Sequence, residues 1–160
     1  MIHYKRHWAY LKYIAKHKWY VLVATRQTRT SLLRGLIHDL SKFKPSEWFP
    51  YARCFYADDG SNQYDDMVDF KEAWLHHQNR NKHHWQYWEL GMDDGRKIAM
   101  KMPDKYVREM LADWMGAGRA ITGKWEVGRW YENNKTKMTL HPMTKEKVES
   151  LLSILKYYGN

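Results

Sequence analysis

The stretch that decides the fold covers residues 4–27 and reads YKRHWAYLKYIAKHKWYVLVATRQ. Its apolar residues recur at steps of three and four, a spacing that places them on one face of a helix. The chain has four prolines in all, so long stretches are free to be helical. The sequence therefore predicts a long first helix whose apolar face carries Trp8, Leu11, Ala15, Trp19, Leu22 and Val23.

Six further helices follow from caps, breakers and apolar spacing. They are expected at about residues 30–40, after a cap at Ser46, at 66–78, from a cap at Asn81 to Trp88, from Pro103 to near Gly116 or Gly118, and from Thr144 to Tyr158. Residues 119–141 are predicted to be irregular or to hold a short hairpin. Because no series of period-two strands competes, the chain is predicted to be all-α. We expect one helical bundle of six to seven helices over residues 1–160, with an irregular segment before the last helix.

Composition narrows the class of protein. The single cysteine, Cys54, excludes an intramolecular disulfide framework and any multi-cysteine zinc module, and it fits a cytoplasmic location. The net charge is +9, and residues 1–50 hold ten Lys and Arg against two acids. A net positive charge of this kind attracts phosphate groups, whether on a nucleotide or on nucleic acid. A charged N-terminus and short uncharged stretches argue against a secretory signal and against membrane insertion.

Histidines are concentrated in two short segments. Five of the nine lie either in the pair His38-Asp39 or in the stretch HHQNRNKHH at residues 76–84. Imidazole and carboxylate are ligands shared by Zn, Mn, Fe and Co, so the two segments together predict a metal site. In an unbroken helix His77 and His84 would lie about 10 Å apart, too far for one ion. The Asn-Arg-Asn break between them would let the two histidines approach one point. The alternative to a metal site is that these histidines form a solvated helix end with a capping cluster.

The segment GLIHDLSKF, residues 35–43, resembles the His-Asp-x-x-Lys signature of the HD-domain superfamily of metal-dependent phosphohydrolases. That family has an upstream histidine, the His-Asp doublet, later histidines and a final aspartate, in this order. The chain has His17, His38-Asp39, His77 with His83 or His84, and Asp113 in the same order. The whole chain also resembles an uncharacterised family of short bacterial and phage proteins of this type.

The resemblance implies a set of metal ligands. His17, His38, Asp39 and Asp113 would hold one ion, and Asp39 would bridge to a second held by His77 and by His83 or His84. The expected cofactor is a divalent transition metal, Mn, Fe, Co, Ni or Zn. Because the later histidines are only six or seven residues apart, the resemblance leaves open whether one ion or two are bound.

Several residues are candidates for substrate contact. Asp39 and Lys42 are the expected catalytic residues, since Lys42 lies one helical step beyond Asp39 and could reach a phosphate that the metal also touches. Arg80, Lys82 and Arg119 are further substrate-binding candidates, although a helix C-cap would also explain the glycines before Arg119. The tryptophans near the proposed site could stack a base or belong to the core: Trp74, Trp85, Trp88 and Trp114.

These features lead to one main functional hypothesis and two alternatives. The main hypothesis is a metal-dependent phosphohydrolase that acts on a nucleotide or another small phosphate ester. The first alternative is an HD-type di-iron oxygenase. The second is a basic, non-catalytic protein that binds a nucleotide or nucleic acid on the same fold. Residues 119–160 are expected to shape the substrate pocket or to form a contact in a homo-oligomer.

Overall fold

The protein is described by a computed structural model that covers residues 3–155. Within these residues lie seven α-helices: α1 Tyr4–Thr28, α2 Leu32–Ile37, α3 Pro45–Phe55, α4 Val68–Arg80, α5 Asp104–Thr122, α6 Val127–Asn134 and α7 Pro142–Leu155. Short 3-10 turns occupy Leu40–Phe43, Trp85–Trp88 and Lys135–Lys137. Two three-residue strands, β1 Glu89–Gly91 and β2 Lys97–Ala99, pair antiparallel with Leu90 opposite Ile98. The prediction of an all-α fold is confirmed.

The largest core lies where α1 crosses α5 and where α7 packs beside them. Val21 and Ala24 of α1 meet Met110, Leu111 and Met115 of α5 there, and all five are nearly or fully buried. The two long helices come very close together at Gly116, because a Cβ atom on it would lie 2.5 Å from Val21 Cγ2 and 2.7 Å from the Val21 backbone nitrogen. Only glycine fits this crossing without movement of a helix.

A second core joins α1 to α3 and α4. It contains Tyr10 and Ile14 of α1, Tyr51 and Ala52 of α3, and Ala73 of α4. Both cores therefore use α1, which runs through the molecule with partners on two sides. Since α1 carries His17 between the residues that enter these two cores, that histidine lies at the junction of the packed helices.

The first helix forms as predicted, but the expected buried face is wrong. Trp8 and Trp19 are 58% and 62% exposed, and Ala15 is exposed as well. The buried face instead carries Tyr10, Ile14, His17, Val21, Ala24, Thr25 and Thr28. The predicted face and the observed face both have helical spacing. They differ in His17, a polar residue that a pattern based on apolar residues assigns to the exposed side of the helix. Burial of His17 turns the helix so that two tryptophans face solvent.

The segment after α1 also differs from the expected continuous second helix. α2 ends at Ile37, and Asp39 adopts a left-handed backbone conformation with φ 56° before the 3-10 turn Leu40–Phe43. The following helix begins at Pro45 with Lys44 as its N-cap, so the prediction of Ser46 as the cap is wrong. Proline at the first helical position needs no amide hydrogen, which explains why the helix starts there.

Later elements depart from the sequence prediction in three places. The helix expected from Asn81 to Trp88 is only a 3-10 turn at its end, and the small hairpin forms at β1 and β2 rather than within residues 119–141. Residues 119–141 instead contain α6. The helix after Pro103 passes both predicted stops and ends at Thr122, with Gly123 at φ 77° as its C-cap. α7 confirms the predicted closing helix, whose expected end at Tyr158 lies outside the described residues.

Two surface properties bear on partners. No helix among residues 3–155 is long and apolar enough to cross a membrane. Residues 1–50 contain just two acids, Asp39 and Glu47, and their exposed fractions are 2% and 0%. Residues 3–50 therefore present basic side chains to solvent with no exposed carboxylate of their own. Such a surface attracts anions over a range set by the ionic strength.

Candidate metal centre

Five separate parts of the chain deliver imidazoles and carboxylates to one buried cluster. His17 comes from the middle of α1, and His38 and Asp39 follow α2. His77 lies in the last turn of α4, His83 and His84 follow that helix, and Asp113 lies in α5. Two overlapping groups among the described residues consist of these side chains alone, with potential ligand atoms within 4.8 Å of one another: His17, His38, Asp39 and Asp113; and Asp39, His77, His83 and His84. A third group joins His38 and His83 to Glu109.

The position of the His-Asp pair depends on how closely α2 approaches α1. A Cβ atom on Gly35 would lie 2.6 Å from Thr25 Cγ2, so a larger residue there would require this side chain of α1 to move. Lys18 of α1 strengthens the contact, because its Nζ donates to the carbonyl oxygens of Leu36 and His38 at the end of α2. The backbone that leads into the metal cluster is thereby attached to the helix that carries His17.

Asp39 stands between the two groups, and its two carboxylate oxygens face different imidazoles. Oδ2 lies 3.6 Å from His17 Nε2 and 3.4 Å from His38 Nε2. Oδ1 lies 3.4 Å from His77 Nε2 and 3.3 Å from His83 Nε2. The left-handed conformation of Asp39 aims the side chain between the groups, and aspartate is one of the few residues that adopt it readily. One carboxylate thus touches both candidate ligand sets.

Asp113 completes the first group from the opposite side. Its Oδ1 lies 3.3 Å from His17 Nε2 and 3.2 Å from His38 Nε2, so these two imidazoles stand between two carboxylates. The glycine at the crossing of α1 and α5 supports this arrangement, because Gly116 is one helical turn from Asp113 and Val21 is one turn from His17. Close packing at the crossing therefore determines the separation of two candidate ligands.

The second group is made by the end of α4 and the turn beyond it. The ring centroids of His77 and His84 lie 4.8 Å apart, and those of His83 and His84 lie 4.3 Å apart. The end of α4 at Arg80, with Asn81 as its C-cap, allows the chain to turn back between them. The expectation that this break lets the histidines converge is confirmed for His77, His83 and His84, whereas His76 is exposed.

The chemistry of the cluster fits a divalent transition metal. The Nε2 atoms of His17, His77, His83 and His84 are buried and have no hydrogen-bond partner in residues 3–155. Buried polar atoms are nearly always paired, so four such nitrogens around one carboxylate are exceptional without a ligand. Imidazole nitrogens with carboxylate oxygens are the donor set that Zn, Mn, Fe, Co and Ni accept. We conclude that the residues present could hold one ion or two.

Two buried glutamates, neither of which is among the residues predicted from the sequence, contact the imidazoles from behind. Glu47 Oε2 lies 2.7 Å from His77 Nδ1, and its other oxygen accepts from Arg80 at 3.0 Å. Glu109 Oε1 lies 3.4 Å from His38 Nδ1 and 3.5 Å from His83 Nδ1. A carboxylate on Nδ1 fixes the tautomer that presents Nε2 to a metal. Glu109 lies one helical turn before Asp113, and this spacing in the sequence could have identified it as a residue of the cluster.

Charges inside the cluster shift the pKa values of its members. Burial raises the pKa of Asp39, but the charges of His38 and Lys42 outweigh burial and hold that pKa well below its usual range. Burial likewise opposes the shift in Glu109, yet hydrogen bonds from His38 and His83 lower its pKa to about 2. Burial lowers the pKa of His38, and Asp39 with the other carboxylates more than reverses this and raises it to about 10. The carboxylates are therefore ionised at neutral pH.

The other histidines differ in their proton affinity. The nearby Asp39 raises the pKa of His77 against the effect of burial. Burial and the charge of His38 lower the pKa of His83, and burial with the charge of His83 lowers the pKa of His84 well below its usual range. His83 and His84 are neutral at pH 7, which is the form that binds metals, while His38 would have to lose a proton.

Lys42 lies in the cluster rather than at its edge. Its Nζ is 2.7 Å from Asp39 Oδ2, and the lysine side chain is only 13% exposed. The ammonium therefore neutralises the same oxygen that faces His17 and His38. Asp39 in turn raises the pKa of Lys42 despite the burial that lowers it, so the lysine stays charged. The predicted contact of Lys42 with a phosphate remains a prediction.

The three other cations expected to bind substrate lie elsewhere. Arg80 is bound to Glu47, behind His77. Lys82 is exposed and lies over the ring of Tyr87. Arg119 stacks on Tyr20 and Trp125, each at 5.7 Å, and donates to the carbonyl of Gly123. The structure thus brings Lys42 to the cluster but places Arg80 in a supporting position and turns Lys82 and Arg119 toward other partners.

A cleft of about 290 Å³ borders the cluster, and its walls include His84 from the second ligand group and Asp113 from the first. Trp74, Trp85 and Trp114 line it, and each also packs against a core: Trp74 against the second core and the other two against the main core. Trp88 also packs against the main core, and its Nε1 donates to the carbonyl of Lys82. Residues of α6 and of the turn Lys135–Lys137 form the remaining wall.

One protein family matches the chain, and the match covers almost all of the residues that the structure describes. The chain belongs to a family of unknown function, DUF5662, whose model matches residues 6–154. All candidate ligands, from His17 to Asp113, lie within the matched part. Neither a curated protein nor a solved structure matches the chain.

Proposed function

We propose that the protein is a metal-dependent phosphohydrolase that acts on a nucleotide or another small phosphate ester. The observation that carries the proposal is Asp39, whose two oxygens face two different sets of imidazoles at 3.3–3.6 Å. A carboxylate in this position is suited to bridge two divalent ions. Paired ions are a recurrent arrangement in enzymes that cleave phosphate esters.

The residues divide naturally between two ions. One would be held by Asp39 with His17, His38 and Asp113, and the other by Asp39 with His77, His83 and His84. When bound, such ions lower the pKa of a water molecule and polarise a phosphoryl oxygen. The residues that converge are the ones on which the HD-domain resemblance was based, and this convergence supports the proposal.

The chain's own residues supply orientation and charge. Glu47 and Glu109 hold the Nδ1 side of three imidazoles, which keeps the Nε2 atoms aimed at the ions. Lys42, buried beside Asp39, adds a fixed positive charge that favours an anionic substrate. The basic outer surface of residues 3–50 attracts the same class of ligand from solution.

The test compares the wild-type protein with Asp39→Asn. Asparagine also tolerates the left-handed conformation of residue 39, so the backbone is preserved while one ligand charge is removed. Asp94→Asn is the matched control, because Asp94 is an exposed aspartate beside the hairpin. Metal content is measured by elemental analysis, and phosphate release is measured with nucleoside monophosphates and sugar phosphates.

We expect the wild type and Asp94→Asn to contain a transition metal and to release phosphate. Asp39→Asn should lose metal and turnover while its circular dichroism spectrum stays unchanged. A folded Asp39→Asn protein with full turnover would overturn the proposal. Iron with turnover that requires dioxygen would assign a di-iron oxygenase instead, and absence of metal after reconstitution would leave a basic binding protein.

A further inference from the structure

The cleft beside the cluster has an unusually aromatic wall. Trp74 of α4, Trp85 of the 3-10 turn, Trp114 of α5 and Trp130 of α6 all line it. Trp114 and Trp130 lie 4.9 Å apart between ring centroids, and Trp130 is 41% exposed. Four indole rings around a space of about 290 Å³ form a site suited to a flat aromatic ligand, since stacking needs a π-face rather than a particular charge.

A polar group in the same wall lacks a partner. Gln86 Oε1 is buried and accepts no hydrogen bond from any described residue. A buried amide oxygen without a partner is destabilising, and a ligand that donates a hydrogen bond would relieve this. A carboxamide presents a donor and an acceptor side by side, which matches the edge of a nucleobase and not that of a plain hydrocarbon ring.

The cleft also borders the residues that would hold metal. His84 and Asp113 line it, and they belong to the second and first ligand groups respectively. A ligand whose ring lies among the tryptophans would therefore have its attached sugar and phosphate beside the metal cluster. The size of the cleft, close to the lower limit of about 300 Å³ for small-molecule sites, suits one ring system better than a longer polymer.

We propose that this cleft binds the base of a nucleoside phosphate, with Trp130 stacking on the base and Gln86 hydrogen-bonding to its edge. The substrate of the proposed phosphohydrolase, on which this inference rests, is then a nucleotide and not a sugar phosphate. Trp130 and Gln86 are the residues that select it. Both lie outside the metal cluster, so they set specificity without holding an ion.

Free nucleosides test this inference without requiring any turnover. Adenosine, guanosine, cytidine and uridine are titrated into the chelator-treated protein and into the metal-loaded protein. Binding is followed by tryptophan fluorescence and by calorimetry, with ribose and ribose 5-phosphate as ligands that lack a base. We expect at least one nucleoside to bind at least tenfold more tightly than ribose and to quench the fluorescence.

Variants of the cleft residues test whether the base stacks on Trp130 or whether loss of any tryptophan changes binding. Trp130→Ala should weaken nucleoside binding about tenfold or more, the size expected for loss of one stacked ring, and Trp130→Phe should restore most of it. Gln86→Leu is a second, independent variant that should weaken binding severalfold. Trp19→Ala is the matched control, because Trp19 is an exposed tryptophan on α1, and it should leave the affinity unchanged.

The outcomes distinguish this inference from the proposed function. Nucleoside binding that depends on Trp130 supports the base site even if no phosphate is ever released. Release of phosphate from ribose 5-phosphate as fast as from every nucleotide, with no nucleoside binding, would overturn the base site and keep the phosphohydrolase. Nucleoside affinity unchanged in both Trp130→Ala and Gln86→Leu would also overturn it.

Discussion

Replacing Gly116 by alanine tests whether the crossing of α1 and α5 supports the metal centre. The new methyl group would lie 2.5 Å from Val21 Cγ2 and 2.7 Å from the Val21 backbone nitrogen. A side chain could rotate away, but a backbone nitrogen cannot, so the two helices would have to separate. Because His17 and Asp113 lie one turn from these contacts, the 3.3 Å distance between them would increase as well.

The expected size follows from two opposing effects. Overpacking of a well-filled core costs roughly 1–3 kcal/mol, and contact with a backbone atom places this site at the upper end. Alanine regains about 1 kcal/mol in the interior of a helix. The net loss in the free energy of unfolding is therefore about 2 kcal/mol, which lowers the melting temperature of a chain this long by roughly 4–8 °C.

Gly118 supplies the matched control, since it lies in the same helix two residues away. A Cβ atom on Gly118 would meet nothing within 4 Å in residues 3–155. Gly118→Ala should therefore stabilise the protein by about 1 kcal/mol through helix propensity. Both variants are measured by urea and thermal unfolding with chelator present, and then by metal titration. If Gly116→Ala were as stable as Gly118→Ala and bound metal like the wild type, the reasoning would be refuted.

Three further predictions concern the ions. Adding metal at 100 times its Kd should stabilise the wild type by about 2.7 kcal/mol and leave Asp39→Asn unchanged in a thermal melt; equal shifts in both proteins would contradict the site. Metal affinity should rise as the pH increases toward about 10, because metal must displace the proton of His38, whose pKa the neighbouring carboxylates raise to about 10, and calorimetry in buffers of different ionisation enthalpy should detect the release of that proton. A pH-independent affinity would contradict this. Glu47→Gln should weaken metal binding about 10–100-fold with the fold retained, whereas unchanged affinity would show that His77 needs no carboxylate on Nδ1.

The helices were predictable because apolar spacing, prolines and turn residues act locally. The first helix and the closing helix illustrate this, since both contain long runs with clear helical spacing. The buried face of α1 was not predictable from that spacing, because residues of other helices enclose His17 and decide which face turns inward. Such a choice depends on what the helix meets, and one of the groups that His17 meets is Asp113 of α5, far along the chain.

His38, Asp39 and the later histidines were predictable because they stand out as residue types, whereas His17 and Asp113 were expected only from the HD-domain resemblance. Glu47, Glu109 and Gln86 did not stand out, since a glutamate or glutamine on a helix or turn is normally exposed. The burial of the two glutamates depends on contacts with imidazoles from other parts of the chain. Trp130 was missed for a related reason: residues 119–141 have weak helical spacing, and α6 is recognisable only once it packs beside Trp114.

The dependence of α1 on α5 has a consequence for synthesis of the chain. His17 and Asp113 are 96 residues apart (113 − 17), and at about 5–20 residues per second this interval takes roughly 5–20 s on the ribosome. During that time Val21, Ala24 and the early ligands have no α5 to pack against. The nascent chain therefore exposes this apolar surface before the first ligand group is complete. Fragments that stop before Asp113 keep the residues of the second core and of the second ligand group, but they lack the contact between α1 and α5 and the last member of the first ligand group.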